Sequence, residues 1–153
     1  MQVTPGVGTY RTVRLSSVSS AERACLLERY EREVYGPAFP DAEIREDPAY
    51  WRNLLDADHY PPAPQPLIEI LLLIDEHGGI GGGVTIELYR EAGAGLLTYV
   101  SVDAERRGQG LGKRLIAEAR QALDQFSSRS EEHTSELQAR RNLGWPPAPV
   151  KKK

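Results

Sequence analysis

The 153-residue sequence contains one cysteine, one methionine and two phenylalanines. A lone Cys25 rules out an internal disulfide framework and suits a reducing compartment. With no histidine near it in sequence, it reads as a small packing residue on its helix rather than a nucleophile. Long apolar runs are missing too. The stretch 67–74 is too short to span a bilayer and carries Glu69. The opening MQVTPGVG has no basic region followed by an apolar one, so no secretory signal is expected and the expected location is cytoplasmic. Basic excess is likewise absent: 19 Lys and Arg stand against 22 Asp and Glu, a net charge of −3. That balance speaks against nucleic-acid and anionic-membrane partners. His59 and His77 fall in loops without metal-ligand companions, so no metal is expected. What remains is one soluble domain, large enough for an ordinary core.

Read in order, residues 1–8 are a loose leader. Residues 10–15 alternate and are rich in strand formers, giving a first strand with Tyr10, Thr12 or Val13, and Leu15 turned inward. Ser19 and Glu22 have the spacing of a capping box. The helix behind them places Leu27, Tyr30 and Val34 on one face, and Gly36-Pro37 is expected to stop it. Asp47-Pro48 is a cap with proline at the first helical position, opening a short helix through Leu55. Residues 60–66 form a proline-stiffened connector. Residues 67–75 and 80–89 read as two strands joined by the hairpin turn 76–79. Gly81-Gly82-Gly83 inside the second suggests a bulge or a close backbone approach.

The most informative stretch is 96–125. It runs from an apolar strand (96–102) through a charged turn (103–107) and a glycine-spaced loop (108–112) into an amphipathic helix. Leu111, Leu115, Ala119, Ala122, Leu123 and Phe126 share one helix face, with Arg114, Glu118, Arg120 and Gln121 opposite. Glycines admit a ligand to the backbone, and the first N–H groups of a helix have no internal partner. With Arg106, Arg107, Lys113 and Arg114 at the same end, the unit is a cradle for a pyrophosphate. Spacing excludes two phosphate motifs. A P-loop needs glycine at Arg107 and a hydroxyl residue at Arg114; a dinucleotide fingerprint needs glycine at Lys113.

What remains, Arg107-x-x-Gly110-x-Gly112 after a strand ending Val-Ser-Val-Asp, resembles the acetyl-CoA motif of the GNAT N-acetyltransferase superfamily. The resemblance covers roughly residues 9–125. It implies an α/β (α+β) fold, a mixed central sheet flanked by helices. It implies transfer of the acetyl group of acetyl-CoA to a primary amine by direct attack, on a small amine or a peptide amine. Val100, Ser101 and Val102 would pair their backbone with the pantetheine arm, and a free N–H there would face the developing oxyanion. Arg107, Gly108, Gln109, Gly110, Gly112 and Lys113 would hold the pyrophosphate. Tyr35, Phe39, Tyr50 and Trp51 fall where the superfamily places its acceptor pocket, although aromatics packing loops against the sheet is the simpler reading of any one of them. The general base is not identified. Glu87 and Glu69, on strands near the expected pocket, are weak candidates, and each is more simply read as an ordinary exposed strand glutamate. A non-catalytic acyl-CoA-binding module is the alternative, and a homodimer stays open.

Residues 129–138 are similar to the translation of a common sequencing-library adapter, one frame of which encodes them residue for residue. The expectation is therefore a GNAT domain over 1–128, truncated, followed by a non-native tail over 129–153. A functionless chimeric fragment is one reading of the whole. His133, Glu131 and Glu132 are then no catalytic cluster. The chain would lack the strand that pairs beyond 96–102, leaving that strand's edge open.

Overall fold

The computed structural model describes residues 9–56, 66–89 and 92–140, with side chains described as far as Gln125. The leader, His59, nearly all of the proline connector, Phe126 and the side chains of 129–138 lie outside the described residues. The fold is of the mixed α+β class. Strands β1 (Tyr10–Arg14), β2 (Leu67–Asp75), β3 (Ile80–Tyr89) and β4 (Ala94–Val102) form one sheet in that order, antiparallel throughout. Helices α1 (Ser20–Tyr30), α2 (Gly36–Ala38) and α3 (Pro48–Asp56) come between β1 and β2, and α4 (Leu111–Arg140) follows β4.

Both faces of the sheet are covered, which explains the unbroken apolar run of β2. Ile68, Ile70, Leu72 and Ile74 enter a core with Leu27, Tyr30, Val34 and Trp51. Leu71 and Leu73 enter a second core with Val84, Ile86, Leu111, Leu115 and Ala119. Side chains alternate across a strand, so one segment supplies both cores. Each fully buried Leu or Ile contributes roughly 1.5–3 kcal/mol. The second core clamps α4, and with it the cradle, onto β3 and β4.

Local signals act as the sequence suggests at both caps. Ser19 Oγ accepts the Glu22 N–H at 3.1 Å, and Asp47 Oδ1 accepts the Ala49 N–H at 2.9 Å. The glycine run serves close packing. Gly81 is the extra residue of a bulge, because Leu73 pairs with Gly82 while Ile74 pairs with Ile80. A Cβ on Gly83 would lie 2.6 Å from the Tyr30 ring, and one on Gly81 would lie 2.7 Å from the Tyr10 ring.

Several expectations need correction. Gly36-Pro37 does not end the first helix. The chain widens into a π-helical turn at Glu31–Tyr35, where Gly36 N–H reaches Glu31 O, and then runs on to Ala38. A proline inside a helix collides with the carbonyl four residues back, and a widened turn ahead of it relieves that clash. Leu15 begins a 3₁₀ turn rather than ending β1, and β4 starts two residues early at Ala94. Cys25 is exposed and does not pack. Apart from these corrections, helix α4 runs from Leu111 to Arg140 and so includes 129–138, which leaves the origin of that segment as it was. Those residues are mostly good helix formers, which a preceding helix readily extends.

Candidate functional site

The strand–turn–helix unit is built as a braced hinge. After β4, Asp103 caps a 3₁₀ turn at Ala104–Arg106 by accepting the Glu105 N–H. Gly108 and Gly110 follow with φ of +88° and +81°, a region L-residues avoid, and a Cβ on either would meet open space. Gly110 O receives the Arg114 N–H, so α4 begins directly behind it. The helix N-terminus thus opens onto solvent beside bare backbone, a favourable place for an anion.

Beside it lies a cleft of about 510 Å³. Val100, Ser101, Val102, Arg107, Gly108, Gly110, Leu111 and Gly112 line it, with Ala38 and Phe39 on the far wall. β4 pairs only with β3 among the described residues, so the other edge of β4 faces this cleft. An antiparallel edge turns alternate N–H and C=O groups outward. Thr98 is the extra residue of a bulge in β4, since Thr85 pairs with Tyr99 and Ile86 with Leu97. A slender amide-bearing chain can pair with that edge while an anionic end rests on the glycines.

The basic residues divide into two kinds. Arg106 donates to Asp75 at 2.7 Å, to Asp103 at 3.1 Å and to the Tyr10 hydroxyl at 3.0 Å. Arg114 donates to Tyr10 O at 3.0 Å and to Thr12 Oγ1 at 3.3 Å. Both lie at the basic end of the cradle, and both side chains hold the protein together. Arg107 and Lys113 make no side-chain hydrogen bond or ion pair among the described residues, and remain available. Gln109 and Lys113 do not line the cleft. Gln109 turns toward β1, accepting the Tyr10 hydroxyl at 3.2 Å.

The two carboxylate candidates separate. Glu69 is buried on β2, and its oxygens accept the Ser16 N–H and hydroxyl and its neighbour's N–H at Ile70. Burial pushes its pKa up, and the Ser16 and Ile70 donors offset part of that. It is two strands away from β4 and holds the 3₁₀ turn after β1. Glu87 lies on β3 opposite Leu96 of β4, 8% exposed, accepting the Tyr89 hydroxyl at 2.6 Å. From Leu96 to Ser101 the strand rises about 16 Å, so Glu87 is near the far end of β4 from the glycines.

Of the aromatic residues read as acceptor-pocket candidates, Tyr35 and Trp51 are fully buried core. With Phe39 and Tyr99 they form a tilted and edge-to-face cluster whose ring centroids lie 4.8–5.8 Å apart. Phe39 belongs to both worlds, packing on that cluster and walling the cleft. Tyr50 is half-buried. The hydroxyls of Ser101 and Tyr30 meet at 2.8 Å beneath the cleft, a pair that the sequence does not signal. No local pattern links residues 71 positions apart.

Residues 68–143 match the family model described as "Acetyltransferase (GNAT) domain", a span from β2 through α4. No curated protein matches the sequence. One solved structure, a Klebsiella pneumoniae protein provisionally named an acyl-CoA N-acyltransferase, is similar at 19% identity and a TM-score of 0.45. The alignment covers 92% of each chain.

Proposed function

We propose that the chain carries the acyl-CoA site of a GNAT N-acetyltransferase and moves an acetyl group from acetyl-CoA to a primary amine. The observation that carries the reading is the cleft itself. It joins an open strand edge, two positive-φ glycines and a helix N-terminus in one continuous wall. The residues suit the ligand: Gly108, Gly110 and Gly112 expose N–H groups to a pyrophosphate, and Arg107 and Lys113 add charge. Val100, Ser101 and Val102 offer the edge on which an extended pantetheine would lie. Tyr30 fixes Ser101 from below, so that wall is rigid.

The chemistry is direct attack of a neutral amine on the thioester carbonyl, with the thiol leaving as coenzyme A. The chain contributes orientation, exclusion of water by Phe39 and the aromatic cluster, and backbone dipoles at the β4 edge. Of the two carboxylates, Glu87 is our candidate to accept the amine proton, because it lies on β3, the strand beside β4. Glu69 has its oxygens committed to Ser16 and Ile70. Incubating the purified chain with acetyl-CoA and a panel of primary amines, and measuring free thiol, tests the reading. Amine-dependent release supports transfer. CoA binding without release across the panel favours the non-catalytic binding module.

A further inference from the structure

Tyr30 and Ser101 form a hydroxyl pair at the floor of the cleft. Ser101 lies on β4 opposite Gly83, where a Cβ would lie 2.6 Å from the Tyr30 ring. Glycine there lets the ring lie across the strand and bring its hydroxyl to Ser101 Oγ at 2.8 Å. The π-helical turn after Tyr30 also holds the ring. A widened turn brings residues five apart onto one helix face, and Tyr35 stacks on Tyr30 with 5.8 Å between ring centroids. Side chains alternate along β4. Val100 and Val102 pack toward α4, whereas Ser101 shares the Tyr30 face with Tyr99, which meets Phe39 edge-on. Phe39 and Ser101 both line the cleft. Of its lining residues only Ser101 and Arg107 carry polar side chains, and Arg107 stands at the glycine end.

Distance alone does not say which hydroxyl donates, but burial does. Tyr30 is fully buried, and Ser101 Oγ is the polar atom its hydroxyl meets among the described residues. Were Ser101 the donor, the phenol hydrogen would be left in apolar packing, a cost that the opposite arrangement avoids. Tyr30 therefore donates. Burial also pushes its pKa above the usual tyrosine range, and the Ser101 bond offsets only part of that rise, so the phenol keeps its proton. The pair has two hydroxyl hydrogens, and one of them is used inside it. The other, on Ser101, is turned away from Tyr30 and is donated to none of the described residues.

We propose that Ser101 is a catalytic residue whose hydroxyl donates a hydrogen bond to the acyl carbonyl oxygen, and that Tyr30 is the positioning residue that aims it. The proposal rests on the acyl-transfer reading and adds a side-chain donor to the backbone of the β4 edge. The amine lone pair forms the C–N bond, and the carbonyl π pair moves onto oxygen, where the Ser101 hydrogen bond meets the developing charge. The pair then returns, the C–S bond breaks and sulfur leaves with its electrons. The proton lost by nitrogen reaches the thiolate through solvent. Ser101 transfers no proton, because an alkyl hydroxyl is far too weak an acid. It is an oxyanion donor and not the general acid. Tyr30 fixes Oγ before the substrate arrives, so the donor needs no reorganisation at the moment of reaction.

The test reads the carbonyl itself and needs no acceptor amine. Acetyl-CoA labelled with ¹³C at the acetyl carbonyl is bound to the full chain, with occupancy fixed by calorimetry, and its carbonyl stretch is followed by isotope-edited infrared spectroscopy. A hydrogen bond to a carbonyl lowers its stretching frequency, so wild type is expected to shift the band down from its position in free acetyl-CoA. Ser101→Ala is expected to lose at least half of that shift, and Tyr30→Phe a smaller part. Ser101→Ala leaves the Tyr30 phenol without its acceptor, so the double variant with Tyr30→Phe removes both hydroxyls and guards against misfolding. Its shift should equal that of Ser101→Ala alone. A pair that only packs would change the melting temperature and leave every shift alone. An unchanged shift in Ser101→Ala and the double variant, or in Tyr30→Phe, would overturn the proposal. Acetyl-CoA that binds wild type without a band shift breaks the proposal alone. A folded wild type that does not bind acetyl-CoA breaks the acyl-transfer reading and the proposal with it.

Discussion

Arg106 donates to Asp75 across 2.7 Å, tying the turn that precedes the glycine cradle to the end of β2, 31 residues earlier. Asp75 also accepts the His77 and Gly79 N–H groups, so one carboxylate organises the β2–β3 turn and anchors the cradle. Arg106 extends the brace through the Tyr10 hydroxyl to Gln109 inside the glycine loop.

This pair gives the protein an acid-sensitive component. The Arg106 guanidinium beside Asp75, followed by the turn N–H groups, holds its carboxyl down at about 2. A depressed carboxylate pKa stabilises the fold above the unfolded value and loses that contribution as pH falls through the folded one. The window is therefore about pH 4 to pH 2, and the loss is on the order of 1–2 kcal/mol. Denaturant melts across this range should fall more steeply for wild type than for Asp75→Asn. Parallel slopes would remove Asp75 from the account.

Neighbouring arginines should behave oppositely. Arg106→Ala is expected to destabilise the chain by roughly 1–3 kcal/mol, since it leaves Asp75 and Asp103 without their shared partner. Arg107→Ala and Lys113→Ala should change stability by no more than about 0.5 kcal/mol, because neither side chain holds the protein. Each should weaken CoA binding several-fold, with a shallower salt dependence than wild type. Thermal melts and calorimetric titrations at two salt concentrations separate the two kinds.

Gly83 tests the sheet's packing. A Cβ added there would lie 2.6 Å from the Tyr30 ring and 2.8 Å from Leu72 Cδ2. Gly83→Ala is expected to cost about 1–3 kcal/mol through overpacking and to disturb the Tyr30–Ser101 contact. Pairing it with Tyr30→Phe in a double-mutant cycle should show coupling beyond about 0.5 kcal/mol. Additive effects would mean the ring moves aside freely.

The outer edge of β4 is open among the described residues, and Leu96 on it is 50% exposed. An open strand with an apolar side chain favours pairing between copies. Sedimentation at rising concentration should show self-association that Leu96→Lys reduces, with the melting temperature unchanged. A wild type that stays monomeric at all concentrations would show that this edge does not pair.

Signals carried by neighbouring residues were legible in the sequence. The Ser19 and Asp47 caps, the 76–79 turn and the Gly108–Gly110 loop are all short-range chemistry, and they stand where spacing puts them. Relations across the sheet were not. Arg106 and Arg107 are adjacent and alike in sequence, and only the arrival of Asp75 and Tyr10 separates a brace from a free cation. Glu69 looked like Glu87 until Ser16, 53 residues away, occupied its oxygens. Tyr35 and Trp51 could be read as a pocket or a core, and their complete burial against the edge of Tyr99 makes them core. The proline at position 37 was read as a stop because local rules do not foresee a widened turn ahead of it.

The most direct measurement is calorimetric titration of CoA into the full chain, its Gly112→Ala variant and its Gly110→Val variant. Gly112 has room, its nearest neighbour to a new Cβ being Val102 Cγ2 at 3.9 Å, whereas Gly110 needs its positive φ. The account predicts saturable binding by wild type, a loss of at least tenfold in Gly110→Val with secondary structure retained, and a smaller loss in Gly112→Ala. A folded wild type that does not bind CoA, or a Gly110→Val variant that binds as tightly, would contradict the assignment of this cleft.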